Sequence, residues 1–157
     1  MKTIKSFTSL KQSKVLDEIL PNESADMHYH YYIDFDELES IPTITEEDDH
    51  FILFPKDVRC WSLAALLNVL PYTIKLSNDI IDAAGNPAYK NECYKFSINR
   101  CGLFGDKWNT QYYGKHQRQL GKRNKELYID LFLSENYDNL IDACYEMILK
   151  LHEEDML

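Results

Sequence analysis

Apolar residues near the C-terminus recur with the spacing of one helical face. The positions are Leu140, Cys144, Met147, Ile148 and Leu151. Their separations of four, three, one and three residues place all five side chains on the same side of an α-helix. The pattern predicts a core helix over about Asp138–Glu153. It identifies a structural element and does not indicate an activity.

Two other segments have helical patterns. Ser9 stands three residues before Gln12, the spacing of a capping box, and predicts a short surface helix that ends at Leu20, before Pro21. Strong helix formers without internal Gly or Pro predict a buried helix from about Arg59 to Leu70.

Alternating apolar and polar residues predict the strands. The alternation is clearest from Met27 to Phe35 and indicates one half-buried strand. The short apolar run Phe51–Phe54 fits a buried strand or a loop anchor. Further strands are predicted over Tyr72–Leu76, Asp79–Ala83, Tyr89–Asn99 and Leu127–Leu133.

Together these segments predict an α+β fold in a single domain over residues 1–157. An antiparallel sheet of about four to six strands packs against two main helices, and the short N-terminal helix flanks it. A chain of 157 residues with 45% hydrophobic residues can bury a sizeable core without disulfides or a structural metal.

Two segments without a regular period are predicted to be loops. Residues 34–49 contain eight carboxylates and no basic residue, which favours an exposed acidic loop. Residues 101–125 contain four glycines among polar and basic residues and predict a long basic and aromatic loop. Within it, only Trp108–Tyr113 could pair as a strand.

Cysteine spacing and the length of the apolar runs indicate the compartment in which the protein acts. The four cysteines form no CxxC pair, so reduced thiols are expected. The longest apolar runs are far shorter than the roughly 20 residues that cross a bilayer. The first residues also lack the uninterrupted apolar region of a signal peptide. These features predict a cytoplasmic protein with no membrane partner.

The charge is strongly acidic and unevenly distributed. The net charge is -9, and the first 57 residues carry 13 acidic and 5 basic residues. An acidic protein repels phosphate backbones unless its basic residues cluster locally.

Three blocks of the sequence carry a resemblance. Cys60–Leu67, Leu140–Ile148 and Leu16–Met27 resemble small proteins of uncharacterised activity from gut Bacteroidales and their phages or mobile elements. The blocks cover about a quarter of the chain and consist mainly of helix-core positions. The resemblance implies a bacterial or phage origin and contributes no catalytic residue.

The best binding candidate is the basic tract Lys107–Lys125, which contains no acidic residue. Its cations could contact phosphates and its rings could stack on unpaired bases, as single-strand binding requires. The alternative is a solvated loop that faces the chain's own acidic residues. The candidate residues for nucleic acid or another partner are Trp108, Tyr112, Tyr113, Lys115, Arg118, Lys122 and Arg123.

Two other groups of residues could in principle bind a metal or act as a nucleophile. His28 and His30 share one strand face with Asp34 and could bind a divalent metal if the sheet supplied a further ligand. Histidines on the polar face of an amphipathic strand are more often found without a metal, and no third ligand is fixed by the sequence, so no metal site is assigned. Cys93 or Cys101 would need a neighbouring His for nucleophilic catalysis, and no motif ties them to one.

The sequence therefore favours a non-enzymatic interaction module of a bacterial or phage accessory system, with another protein as its partner. Single-stranded nucleic-acid binding through residues 107–125 is the first alternative, and a small hydrolase is the second. No cofactor, metal or catalytic residue is assigned.

Overall fold

The computed structural model describes residues 5–32, 34–44, 56–75, 93–103, 105–120 and 123–157; for 115–120 and 123–129 it describes the backbone alone. The fold is α+β, as predicted. The chain divides into two compact units, Met1–Val69 and Leu70–Leu157. The expectation of a single domain stays a prediction.

The first unit begins with helix α1, Leu10–Ile19, followed by a short 3-10 helix, Asn22–Ser24. The predicted capping box is confirmed, since Ser9 accepts from the Gln12 N–H and the Gln12 side chain accepts from the Ser9 N–H at 3.0 Å. The unit ends with helix α2, Leu63–Val69. Local hydrogen bonding and the apolar face of Leu16 and Leu20 thus determine α1, as the sequence indicated.

Five short strands follow α1: β1 is Met27–Tyr29, β2 Tyr31–Tyr32, β3 Glu37–Leu38, β4 Thr43–Ile44 and β5 Val58–Cys60. They form a three-stranded antiparallel sheet in the order β4-β1-β5 and a separate β2-β3 hairpin. Tyr29, Val58 and Cys60 form a buried cluster on which Phe7 and Met27 pack.

The second unit contains one antiparallel sheet in the order β6-β7-β8-β9. Its strands are β6 Thr73–Lys75, β7 Cys93–Cys101, β8 Lys107–Leu120 and β9 Arg123–Leu133. The register skips Leu131 between the pairs Tyr112↔Phe132 and Tyr113↔Asp130, which makes a β-bulge.

Helix α3, Leu140–Glu153, lies against β8 and β9. Of the five predicted inward positions, Leu140 is half-buried and the other four are fully buried. Asn139 caps the helix by accepting from the Asp142 N–H at 2.9 Å, and the Thr110 hydroxyl donates to the Ala143 carbonyl at 2.9 Å. The predicted core helix is confirmed. No helix among the described residues combines the length and apolar character needed to span a bilayer.

Several predicted boundaries are wrong. The helix predicted from Arg59 starts only at Leu63, because residues 58–60 pair with β1 as a strand. The strand predicted over Met27–Phe35 is interrupted at His30, and Phe35 lies in a turn with 73% of its surface exposed. Tertiary pairing and the turn override the local periodicity in both places.

Both predicted loops contain strands. Residues 107–120 and 123–133 form the two longest strands, so the predicted loop over 101–125 is wrong for most of its length. Within the predicted acidic loop, β3 and β4 form, while residues 45–49 lie outside the described residues. Phe51–Phe54 and Asp79–Ala83 also lie outside them.

Candidate functional site

The β2-β3 hairpin carries two exposed aromatic side chains, Tyr32 and Phe35. Tyr31 pairs with Leu38 and Tyr32 with Glu37. The Phe35 N–H donates to the Tyr32 carbonyl at 3.3 Å in the connecting turn. Asp36 completes the turn with a φ of 53°, a conformation that Asp tolerates better than most residues.

Ionic and aromatic contacts hold one side of this hairpin. The Tyr31 hydroxyl donates to the Asp36 carboxylate. The Lys56 Nζ lies 3.2 Å from Asp36 Oδ1, 2.6 Å from the Tyr31 hydroxyl and 4.2 Å above the Tyr31 ring. Lys56 therefore neutralises part of the acidic charge on this side only.

The other side is held by Glu39. Its carboxylate accepts from the Tyr32 hydroxyl, and its second oxygen accepts from the Thr43 hydroxyl at 3.3 Å. The hydrogen bond to the Glu39 carboxylate raises the pKa of the Tyr32 phenol. Tyr32 is therefore a neutral phenol at physiological pH and donates its proton to the hydrogen bond with the Glu39 carboxylate.

An apolar and acidic surface results, which we call the hairpin surface. Its exposed apolar members are Tyr32, Phe35, Ile41 and Ile44, with 41%, 73%, 68% and 70% of their surfaces accessible. Its carboxylates are Asp34, Asp36, Glu37 and Glu39. An open groove of about 420 Å³ is lined by Tyr32, Glu37, Leu38, Glu39, Ser40 and Ile41. Large exposed apolar residues of this kind are typical of interaction sites.

A second group of polar side chains lies where β1 ends and β5 begins. His28 pairs with Arg59 and Tyr29 with Val58 across these antiparallel strands. One step further along the same register, Asp57 is opposite His30, and the His30 Nδ1 lies 3.3 Å from the Asp57 Oδ1. Ligand atoms of His28, His30 and Asp57 all lie within 4.8 Å of one another.

The carboxylate beside the two histidines is therefore Asp57 and not Asp34. Asp34 is exposed in the turn after β2, because the strand that would have carried it is interrupted. Asp57 also accepts from the Tyr31 N–H at 2.7 Å, and only 3% of its side chain is exposed. The sequence pattern misses it because Arg59 and Cys60 are predicted to begin the following helix. The alternating burial of Val58, Arg59 and Cys60 is visible in the structure, but three residues are too few to display a period in the sequence.

The aromatic candidates in the basic segment are buried or half-buried in the folded chain. Tyr112 is fully buried and its hydroxyl donates to the Pro71 carbonyl at 2.5 Å, so its ring cannot stack on a base in this structure. Burial raises the pKa of its phenol. Trp108 is half-buried, and the Arg100 guanidinium lies 5.0 Å from its ring. Tyr113 is half-buried.

Three of the cationic candidates lie on the paired strands β8 and β9. The backbones of Lys115 and Arg118 are in β8, and Arg123 is the first residue of β9. Lys122 lies outside the described residues. Strand pairing thus places Lys115, Arg118 and Arg123 on one long hairpin instead of the predicted loop. Their role in binding stays a prediction.

Two of the thiols, those of Cys60 and Cys101, have hydroxyl or amide partners. The buried Cys60 Sγ lies 3.4 Å from the Thr8 hydroxyl oxygen. Cys101 Sγ lies 2.9 Å from the Asn136 Oδ1 and 3.7 Å from the Asn109 Nδ2. All four cysteines are free, as expected.

Comparison with models of protein families, with curated proteins and with solved structures finds no match.

Proposed function

We propose that this chain is a non-enzymatic interaction module of a bacterial or phage accessory system. In this proposal it acts in the cytoplasm and binds an arginine-bearing segment of a partner protein through the hairpin surface. The observation that carries the proposal is the groove in which Glu37 and Glu39 flank exposed apolar side chains. A carboxylate pair within an apolar surface complements a cation on an apolar stem.

Arginine suits this groove better than lysine. A guanidinium forms bidentate hydrogen bonds with carboxylates and stacks on aromatic faces. Glu37 and Glu39 supply the carboxylates, and Tyr32 supplies a ring with 41% of its surface exposed. The exposed Phe35 and Ile41 provide the apolar area that such interfaces use for affinity.

Fluorescence anisotropy of a labelled peptide with alternating arginine and leucine tests the proposal. We expect saturable binding at 50 mM salt, and no binding of the matched peptide with glutamine in place of arginine. Glu37→Gln should weaken binding up to about 5-fold, the range of one exposed ion pair. Phe35→Ala should weaken it by about 10-fold because it removes an exposed apolar contact.

Glu153→Gln is the matched control, because it removes one exposed glutamate near the end of α3 and should leave binding unchanged. Equal weakening of peptide binding by Glu37→Gln and Glu153→Gln would contradict binding in the groove and indicate a nonspecific charge effect. Tighter binding of a labelled single-stranded oligonucleotide, lost on replacing Lys122 and Arg123, would favour the nucleic-acid alternative.

A further inference from the structure

The arrangement of His28, His30 and Asp57 goes beyond the proposed peptide binding. His28 and His30 are two residues apart on an extended segment, so their side chains lie on one face. Asp57 reaches that face from the neighbouring chain segment, because β5 pairs antiparallel with β1. Three side chains from two segments therefore converge at one end of a small sheet.

The distances agree with metal coordination. Ligand atoms that lie about 2.1 Å from a tetrahedral metal ion are separated from one another by about 3.4 Å. His30 Nδ1 and Asp57 Oδ1 are already 3.3 Å apart. No pair within the group exceeds 4.8 Å, so the widest must close by at most about 1.4 Å, which small χ rotations of partly exposed imidazoles can supply.

We propose that His28, His30 and Asp57 form a binding site for Zn²⁺. Two imidazole nitrogens and one carboxylate oxygen favour zinc over Mg²⁺ or Ca²⁺, which prefer ligand sets made of oxygen. Three protein ligands leave a fourth position for water or for a donor from another molecule.

Neighbouring groups fix the carboxylate and compensate nearby charge. The Tyr31 N–H donates to the Asp57 Oδ1 at 2.7 Å, which orients the carboxylate in the way that outer hydrogen bonds orient metal ligands. Arg59 lies opposite His28, but its Nη1 is 2.6 Å from the Asp17 Oδ1, so its positive charge is paired with a carboxylate. About a third of the His30 side chain is exposed, which gives an ion access.

Calorimetric titration of the full chain with ZnCl₂ tests the site. We expect one Zn²⁺ per chain and no displacement by a large excess of Mg²⁺. His28→Gln and Asp57→Asn should each weaken binding by more than about 100-fold, since loss of a direct ligand exceeds the effect of losing an outer partner. His152→Gln changes an exposed histidine near the end of α3 and should leave affinity unchanged.

Co²⁺ absorption separates this site from binding by cysteines. We expect visible d–d bands without thiolate-to-metal charge transfer, and loss of these bands in His28→Gln. Circular dichroism of each variant without metal confirms that it is folded. Failure to bind Zn²⁺, thiolate bands, or unchanged affinity in folded His28→Gln and Asp57→Asn would each overturn the proposal. Arginine-peptide binding is measured without metal, so the two proposals fail independently.

Discussion

The hydroxyl oxygens of Thr8 and Ser13 lie 2.8 Å apart in the interior of the first unit, and both side chains are fully buried. Thr8 Oγ1 also accepts from the Trp61 N–H at 3.1 Å, and the Tyr29 hydroxyl donates to the Thr8 carbonyl at 2.8 Å. Thr8 therefore joins the start of α1 to β1 and to the residue after β5. A single polar residue thus holds together segments that lie far apart in sequence.

Replacing Thr8 by Val should destabilise the protein by about 1–3 kcal/mol, because it removes a partner of the buried Trp61 N–H and of the Ser13 hydroxyl. Urea unfolding measures the change. The double variant Thr8→Val with Ser13→Ala should lose less free energy of unfolding than the two single variants added together. The reason is that it leaves fewer buried polar groups without a hydrogen-bond partner. Thr73→Val, at an exposed position in β6, is the control and should change stability little.

Glu146 in α3 should make stability depend on pH. Burial raises the pKa of its carboxyl, but the Lys150 ammonium at 2.6 Å, the Glu135 N–H at 2.8 Å and the Tyr137 hydroxyl together outweigh it and lower the pKa. Because the pKa is lowered in the folded state, the ionised carboxylate stabilises the protein at a pH above the unfolded pKa. This stabilisation is lost as the pH falls through the folded pKa.

Glu146→Gln should therefore destabilise the protein by about 1 kcal/mol at pH 7, and the difference from the wild type should shrink as the pH falls below about 4.3, the ordinary pKa of a glutamate. Denaturant unfolding at several pH values measures it. Glu153→Gln removes a glutamate from the exposed end of the same helix, and as the control it should change stability little at pH 7. A difference between Glu146→Gln and wild type that persists undiminished at acid pH would contradict the assignment.

The two long helical patterns could be predicted because their information is local. Ser9 and Gln12 form the cap of α1 by themselves, and the spacing of Met147, Ile148 and Leu151 alone determines the buried face of α3. The strand β5 could not be predicted in this way. Its three residues are too few to display a period, and their conformation depends on pairing with β1.

The candidate sites show the same limit. His28 and His30 could be singled out because they are neighbours on one strand, but Asp57 joins them through a sheet register that no local pattern contains. The acidic charge of the hairpin surface could be predicted, whereas the exposure of Phe35 could not, since alternation had assigned it inward. The turn with the positive φ of Asp36 reverses that assignment.

The four thiols should differ in reactivity towards iodoacetamide. Burial raises the pKa of the Cys144 thiol to about 12, so little thiolate forms at neutral pH, whereas Cys93 is exposed. Peptide mass spectrometry at pH 8 should find Cys93 alkylated at least about 10-fold faster than Cys144 in the folded protein. In urea all four should react. Equal rates for Cys93 and Cys144 without denaturant would show that the core around α3 opens readily.

The turn between β7 and β8 should tolerate alanine differently at its two described glycines. Gly102 has a φ of 88° and a Cβ there would lie 2.6 Å from the Asp106 Oδ1, whereas Gly105 has a φ of 63° and open space around it. Gly105→Ala should cost about 1 kcal/mol of backbone strain, and Gly102→Ala about 2 kcal/mol because the Asp106 carboxylate must also move. Thermal unfolding measures both variants. Asp106→Ala removes the shortest contact and leaves the Lys107 Cγ at 3.3 Å, so in that background the cost of Gly102→Ala should fall towards that of Gly105→Ala. If Gly102→Ala loses as much stability in the Asp106→Ala background as in the wild type, the whole loss arises from backbone conformation.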